Sequence, residues 1–241
     1  MKRLFNIKKV LVLVLSAAFL LVGCTKYANP PAVYEEYEQN LQQPVKRKVL
    51  FISIDGLVGQ ELKKSLPTNI SELLKTSKYT FNALADENTS NASSWMTMMS
   101  GVTYANHHIT DESYIPRPNE DDPHANVAGY PSMLYRIATV APSMKTTVVS
   151  RSVTLNDKLL VSANETYNGA TDEDVKTKVL DLLNTKNSDF MIIQFTSLLE
   201  AGEKGGFTRS NSDYENALKK VDGYIGEITK ALTARKNYPN E

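Results

Sequence analysis

The chain has 241 residues, with 27 Lys+Arg against 27 Asp+Glu, three histidines and one cysteine. A single cysteine excludes an intrachain disulfide and any Cys-based metal site. The length accommodates one ordinary domain with short attachments, and no internal repeat is visible.

Lys2, Arg3, Lys8 and Lys9 precede an apolar run from Val10 to Val22. A basic segment before a short apolar stretch is the pattern of a secretory signal, and the run is shorter than the ~20 residues that a membrane-spanning helix needs. Its ending, Leu21-Val22-Gly23-Cys24, resembles a bacterial lipobox. That resemblance implies a signal peptide over 1–23 and a lipidated Cys24 that holds the protein on a membrane surface rather than across it. Removal of residues 1–23 takes away four basic residues and no acidic one, leaving 23 against 27. A chain with an acidic surplus does not suit a nucleic-acid partner. Thr25 after Cys24 is compatible, by analogy with other lipoproteins, with an outer-membrane destination in the bacterial cell envelope. Residues 24–46 read as a tether, with Pro30-Pro31, Pro44 and a polar stretch whose Glu35 to Gln42 suits a short helix.

The body begins at 47. Val49 to Ile54 is an apolar, partly β-branched run that stops at Asp55-Gly56, the pattern of a buried parallel strand ending in a carboxylate. The carboxyl ends of strands in an open α/β sheet are where ligands sit, so Asp55 is a candidate cation ligand; Asp-Gly is also ordinary turn punctuation. Gly59 to Lys64 suits one or two helical turns, Pro67 breaks it, and Ile70, Leu73 and Leu74 resume helical spacing. Tyr79 to Leu84 suits a short strand. Ser93 to Ser100 reads as a helix stopped by Gly101 and capped by Ser90 or Asn91. Ser and Asn before a helix are usually caps, and they are also how a hydroxyl is aimed at an anion.

Tyr104 to Asn126 reads as a surface loop that carries His107, His108 and His124 beside Glu120-Asp121-Asp122. A helix follows from Pro131 to about Thr139, with Met133, Leu134 and Ile137 inward, then a strand from Lys145 to Ser150. Thr171 to Asp174 caps a helix whose buried stripe is Val175, Val179, Leu182 and Leu183. Asp189 to Phe195 is the next buried strand, Gly202 to Gly206 a turn, and Ser212 to Arg235 a long helix with Tyr214, Ala217, Leu218, Val221, Ile225, Ile228 and Leu232 on one face. This alternation predicts an α/β fold, a parallel sheet with helices on both faces, over 47–241.

Val49–Gly56, Ser93 to Val102, Tyr104-Ala105-Asn106-His107 and Tyr214 to Tyr238 together resemble the alkaline phosphatase superfamily, and within it the type I phosphodiesterase/nucleotide pyrophosphatase-like lipoproteins of Bacteroidota. The resemblance implies an alkaline phosphatase-like fold and two zinc-like divalent cations (Zn2+ if active) that clamp a phosphate or sulfate ester while a Ser or Thr hydroxyl attacks. Asp55 matches the family's first metal-ligand Asp. The nucleophile position, ten residues before Gly101, is held by Asn91, whose amide cannot become an alkoxide; Thr89, Ser90 and Ser93 are the neighbouring hydroxyls. In the run after Phe195 the family's Asp and His positions are Leu199 and Glu203, of which only Glu203 can bind a cation. The family continues to a further strand and an Asp-His-Gly, whereas this sequence stops at Glu241 with the C-terminal part of that plan missing.

Two functional readings follow. The first is a membrane-anchored lipoprotein with a degenerate phosphodiesterase-like domain, a pseudoenzyme that acts in binding or scaffolding at the cell surface with a protein or glycan partner. The second is a working metal-dependent hydrolase of phosphate or sulfate esters that recruits Thr89, Ser90 or Ser93 with His107, His108, His124 or the acids of 120–122. A third possibility concerns the chain itself: if Glu241 is not its natural end, a missing strand would leave a sheet edge unpaired.

Overall fold

The computed structural model of the protein describes residues 47–117 and 129–238. Cys24, the Glu35–Gln42 stretch, Glu120 to Asp122 and His124 lie outside them. The described residues belong to one compact unit. Among the described residues no helix is long and apolar enough to cross a membrane.

The elements in chain order are β1 (Val49–Ile54), α1 (Gly59–Lys64), α2 (Thr68–Leu74), α3 (Asn91–Ser100), α4 (Tyr104–His107), α5 (Met133–Val140), β2 (Thr146–Ser150), α6 (Val153–Lys158), β3 (Glu165–Asn168), α7 (Asp172–Thr185), β4 (Phe190–Phe195), α8 (Ser197–Gly205) and α9 (Ser212–Thr233). The four strands of the described residues form a parallel sheet in the order β1-β4-β2-β3. The expected α/β architecture is therefore present, with β1 and β3 at the edges.

Side chains alternate between the faces of a strand, and the two cores follow that alternation. Leu50, Ile52, Met191, Ile193, Phe195 and Val149 point to one face and pack with α1, α2, α7, α8 and α9. Phe51, Phe190, Ile192 and Val148 point to the other and pack with α3, α5 and α6. The stripe Val175, Val179, Leu182 and Leu183 of α7 is buried as expected, and so are Tyr214, Leu218, Val221, Ile225 and Ile228 of α9. Thr171 and Asp174 form the reciprocal capping box of α7. Ser90 caps α3, and Gly101 ends it in the left-handed region at φ 70°. On α5, Leu134 is buried while Met133 and Ile137 pack against the same core.

Four expectations are corrected. Tyr79 to Leu84 is not a strand: it joins neither edge of the sheet, and the carbonyl of Phe81 accepts from the Gln60 side chain. Tyr104 to His107 is a helical turn rather than surface loop, and His107 is fully buried. Gly202 to Gly205 belongs to α8, not to a turn, and the Phe207 ring packs so close to Gly202 that a Cβ there would lie 2.2 Å from it. Helix propensity penalises glycine, but packing overrides it here. Finally, α6 and β3 have no counterpart in the sequence reading; β3 is a short edge strand, and Ser152 caps α6.

Two contacts hold the turn after β1. The Tyr214 hydroxyl donates to the Gly56 carbonyl at 2.8 Å and accepts from the Val58 N–H at 3.1 Å. Gly56 has φ 80°, and a Cβ there would lie 2.7 Å from the Leu199 Cα, so only glycine suits the place. The carboxylate of Asp222 on α9 accepts from the backbone N–H groups of Asn69 and Ile70. It thereby caps α2, whose N-cap residue is Pro67 and has no cap of its own.

Candidate functional site

Asp55 stands one residue past the carboxyl end of β1, and its N–H continues the ladder to the Phe195 carbonyl at 2.9 Å. The register pairs Ser53 with Gln194. Both point to the face that α3 covers, because their neighbours Ile52, Ile54, Ile193 and Phe195 point to the other. Asp55 is in phase with Ser53, so its carboxylate turns to the same side. There Ser53 Oγ donates to Oδ1 at 2.7 Å, Gln194 Nε2 to Oδ2 at 2.6 Å, and Trp95 Nε1 to Oδ2 at 3.3 Å. Burial pushes the Asp55 carboxyl above the usual carboxylate range, and the three donors oppose that rise.

The structure thus brings Asp55 and α3 together through Trp95. Asn91 is one turn closer to the start of α3, and its Nδ2 donates to Glu112 Oε1 at 2.9 Å. The Ser90 hydroxyl is committed twice, accepting from the Ser93 N–H at 3.4 Å and donating to the Thr110 carbonyl at 3.1 Å. Thr89 is exposed. Ser93 is fully buried, and its Oγ has no hydrogen-bond partner; nor have Gln194 Oε1 and the Tyr114 hydroxyl. Burial, with the charges of Glu112 and Asp55, pushes the Tyr114 phenol up.

Leu199 packs its backbone against Gly56, and Glu203 is exposed further along α8. Next to this region Arg151 pairs with Glu200 at 2.7 Å and approaches Asp172 at 3.6 Å. Asp172 in turn accepts from the Thr196 and Ser197 N–H groups, each at 3.0 Å, so it caps α8.

The two remaining histidines of the described residues separate. His107 accepts the Ile109 N–H at Nδ1, 3.0 Å, which leaves the proton on Nε2 to meet Thr97 Oγ1 at 2.9 Å. Thr97 Oγ1 is bonded to Asp86 at 3.3 Å. Burial holds the His107 imidazole below its ordinary range, and Asp86 opposes that. This histidine is a neutral structural group. His108 is half-buried beside the Tyr104 ring.

The fit of a two-cation centre can be tested on these donors. Both oxygens of Asp55 already accept hydrogen bonds, Asn91 offers an amide tied to Glu112, and position 199 is apolar. Among the described residues no three His, Cys, Asp or Glu side chains come together as a metal-binding group. The residues described do not fit the pair of cations implied by the sequence resemblance. Sequence reasoning missed Gln194, Trp95 and Ser53. Their signals were faint: an amide in the otherwise apolar Phe-Met-Ile-Ile-Gln-Phe, the one tryptophan of the chain, and a serine two residues before Asp55.

Comparison with known proteins gives a family model, type I phosphodiesterase / nucleotide pyrophosphatase, that matches residues 49–240. No curated protein matches the chain. Among solved structures it is similar to murine ectonucleotide pyrophosphatase / phosphodiesterase 5, in an inactive variant complexed with AMP, with 15% identity and a TM-score of 0.61 over 80% of this chain and 54% of that one. It is also similar to the 2-O GAG sulfatase BT1596, with 12% identity and a TM-score of 0.57 over 80% and 56%. A third is the C-terminal periplasmic domain of EcEptC from Escherichia coli, solved as a complex with Zn, with 14% identity and a TM-score of 0.51 over 80% and 61%. At these identities the likeness is one of fold. The chain spans little more than half the length of the solved structures it matches.

Proposed function

The chain belongs to the type I phosphodiesterase / nucleotide pyrophosphatase family, and from that premise we propose that it is a lipid-anchored protein of the bacterial envelope whose domain binds a ligand without hydrolysing it. Lipid on Cys24 supplies the anchor, in keeping with the Bacteroidota lipoproteins it resembles. The ligand class is an anionic ester or nucleotide, bound at the cleft of Asp55, Asn91 and the start of α3. The AMP complex of the murine neighbour supports that class.

One observation carries the absence of turnover: the nucleophile position holds Asn91, and its amide is committed to Glu112. An amide lacks the proton chemistry of an activated nucleophile. Ser90 and Ser93 do not replace it, since Ser90 is spent on capping and Ser93 is sealed in the core, and among the described residues no hydrogen bond gives the exposed Thr89 hydroxyl a base. Glu203, the remaining acid of the family positions, stands exposed on α8.

The test is metal stoichiometry on residues 25–241 after dialysis against zinc, beside Asp55→Ala, with turnover of phosphate and sulfate esters and AMP binding by calorimetry. The expected result is no tightly held pair of ions, no ester turnover above the variant, and AMP binding that does not depend on zinc. Two bound ions lost in Asp55→Ala together with metal-dependent turnover would establish the working hydrolase instead.

A further inference from the structure

In a parallel sheet every strand starts at the same end. At that end the chain collects cations. Arg47 and Lys48 lead into β1, Lys145 leads into β2, Lys186 follows α7, and Arg235 and Lys236 follow α9. They share one surface. The Val49 N–H bonds the Asp189 carbonyl, and the Lys145 N–H bonds the Asp189 carboxylate at 2.9 Å. Lys48 and Arg235 both donate to Asn187 Oδ1, the latter at 3.1 Å. Lys186 and Arg235 line one apolar cavity with Val49 and Tyr238, of about 100 Å³. Among the described residues, acids at this end include Asp189, which is buried, and Glu165, which pairs with Lys186 at 3.1 Å.

The same end also exposes apolar side chains. Val49 is 51% exposed, Tyr238 46%, and Val140, the last residue of α5 and five residues before Lys145, 83%. Cations interleaved with exposed apolar groups suit a lipid interface, where ammonium groups meet phosphate and apolar tips enter the headgroup layer. A nucleic acid would use the charges and leave the apolar side chains without purpose.

We propose that this amino-terminal end of the sheet is a membrane-facing surface that binds anionic phospholipid headgroups. The orienting role rests on the lipoprotein reading above: the tether from Cys24 enters the fold at Arg47, at this end. Lipid on Cys24 holds the protein at the bilayer, and the basic end sets which way up it stands. The Asp55 cleft, at the opposite ends of the strands, then faces away from the bilayer and toward its ligand.

The test uses residues 24–241 with Cys24→Ser, so that no lipid contributes, and co-sedimentation with vesicles of phosphatidylcholine with and without phosphatidylglycerol. Binding is expected only to the anionic vesicles and is weakened by salt. Lys145→Gln, Lys186→Gln and Lys236→Gln each lower the partition roughly fivefold, and the triple variant about a hundredfold. Lys63→Gln with Lys64→Gln, on α1, leaves it unchanged, and thermal melting shows that every variant is folded. Equal binding to both vesicle types, an unaffected triple variant, or tight binding to duplex DNA through the same lysines without vesicle binding would overturn the proposal. Palmitate labelling of the wild-type chain against Cys24→Ser in cells tests the anchor separately. Labelling that fails while vesicle binding succeeds removes the lipoprotein reading and leaves the headgroup surface standing.

Discussion

At the carboxyl ends of the strands, Asp55, Asp172 and Tyr214 are folded inward and tied to backbone or side-chain partners. At the amino ends, Arg47, Lys145, Lys186 and Lys236 stand out toward solvent. One sheet therefore has an end where Asp55 and Asp172 are bonded within the protein and an end that carries exposed cations. Buried polar groups must be satisfied internally, whereas exposed cations cost little wherever they stand. The difference teaches that a carboxylate at a strand end can be absorbed into the fold, as Asp55 is by Ser53, Gln194 and Trp95. That carboxylate works as a three-way hydrogen-bond acceptor.

Three substitutions beside Asp55, one at the buried His107 and one set at the basic end sharpen this contrast. The largest effect is expected from Gly56→Val. Its left-handed backbone and the 2.7 Å approach to Leu199 combine strain with overpacking, for a loss of about 2–5 kcal/mol. Urea titration reads it. A loss below about 1 kcal/mol would mean that the turn after Asp55 is looser than the Tyr214 clamp implies.

Next is Asp55→Ala, which leaves Trp95 Nε1 and Gln194 Nε2 buried without an acceptor and is expected to cost roughly 2–4 kcal/mol. Asp55→Asn keeps a carbonyl for both donors and is expected to cost less than half as much. A carboxylate whose role is to hold cations gives a different pattern: both variants stabilise or leave the apo protein unchanged, and both abolish a zinc-induced rise in melting temperature.

How far the sequence carried this picture differs between the same two ends. The strands β1, β2 and β4 were legible as short apolar runs, α7 and α9 from their regular apolar spacing, and α3 from the cap at Ser90 or Asn91 and the stop at Gly101. Asp55 was legible as a strand-end carboxylate. Its partners were not, because Gln194 and Trp95 are brought to it by the Ser53–Gln194 register and by the packing of α3, which spacing along the chain does not encode. His107 was misplaced for a related reason. Its surroundings are polar in sequence, yet a single helical turn and the Ile109 N–H draw it into the core. The basic end was invisible for the opposite reason: its lysines and arginines are scattered over nearly two hundred positions and meet only because parallel strands begin together.

A smaller effect is expected with pH. His107 is held below its ordinary imidazole value, about 6.5, chiefly by burial. The unfolded chain therefore takes up the proton at a higher pH than the folded one. The contribution to stability is complete above the unfolded value and is lost as pH falls through it toward the folded value. The melting temperature of the wild-type protein is expected to be lower near pH 5 than near pH 7.5, and the decrease smaller in His107→Gln. An identical decrease in that variant would assign the pH dependence to other groups and make the Thr97–His107 contact incidental.

The smallest effect on stability belongs to the basic end. Lys145, Lys186 and Lys236 are exposed, and the Lys186–Glu165 pair is a surface pair whose contribution is at most about 1 kcal/mol. Each Lys→Gln change is expected to alter stability by less than about 0.5 kcal/mol. This near-neutrality is what distinguishes the two ends. Groups that serve the fold cannot be removed without loss, while groups that serve a partner can, so a lysine that is silent in denaturation and effective in vesicle binding is one offered to the outside. If the triple variant instead lost more than about 2 kcal/mol, the cations would be holding the strand starts together, and the two ends of the sheet would differ only in the sign of the charge that stabilises them.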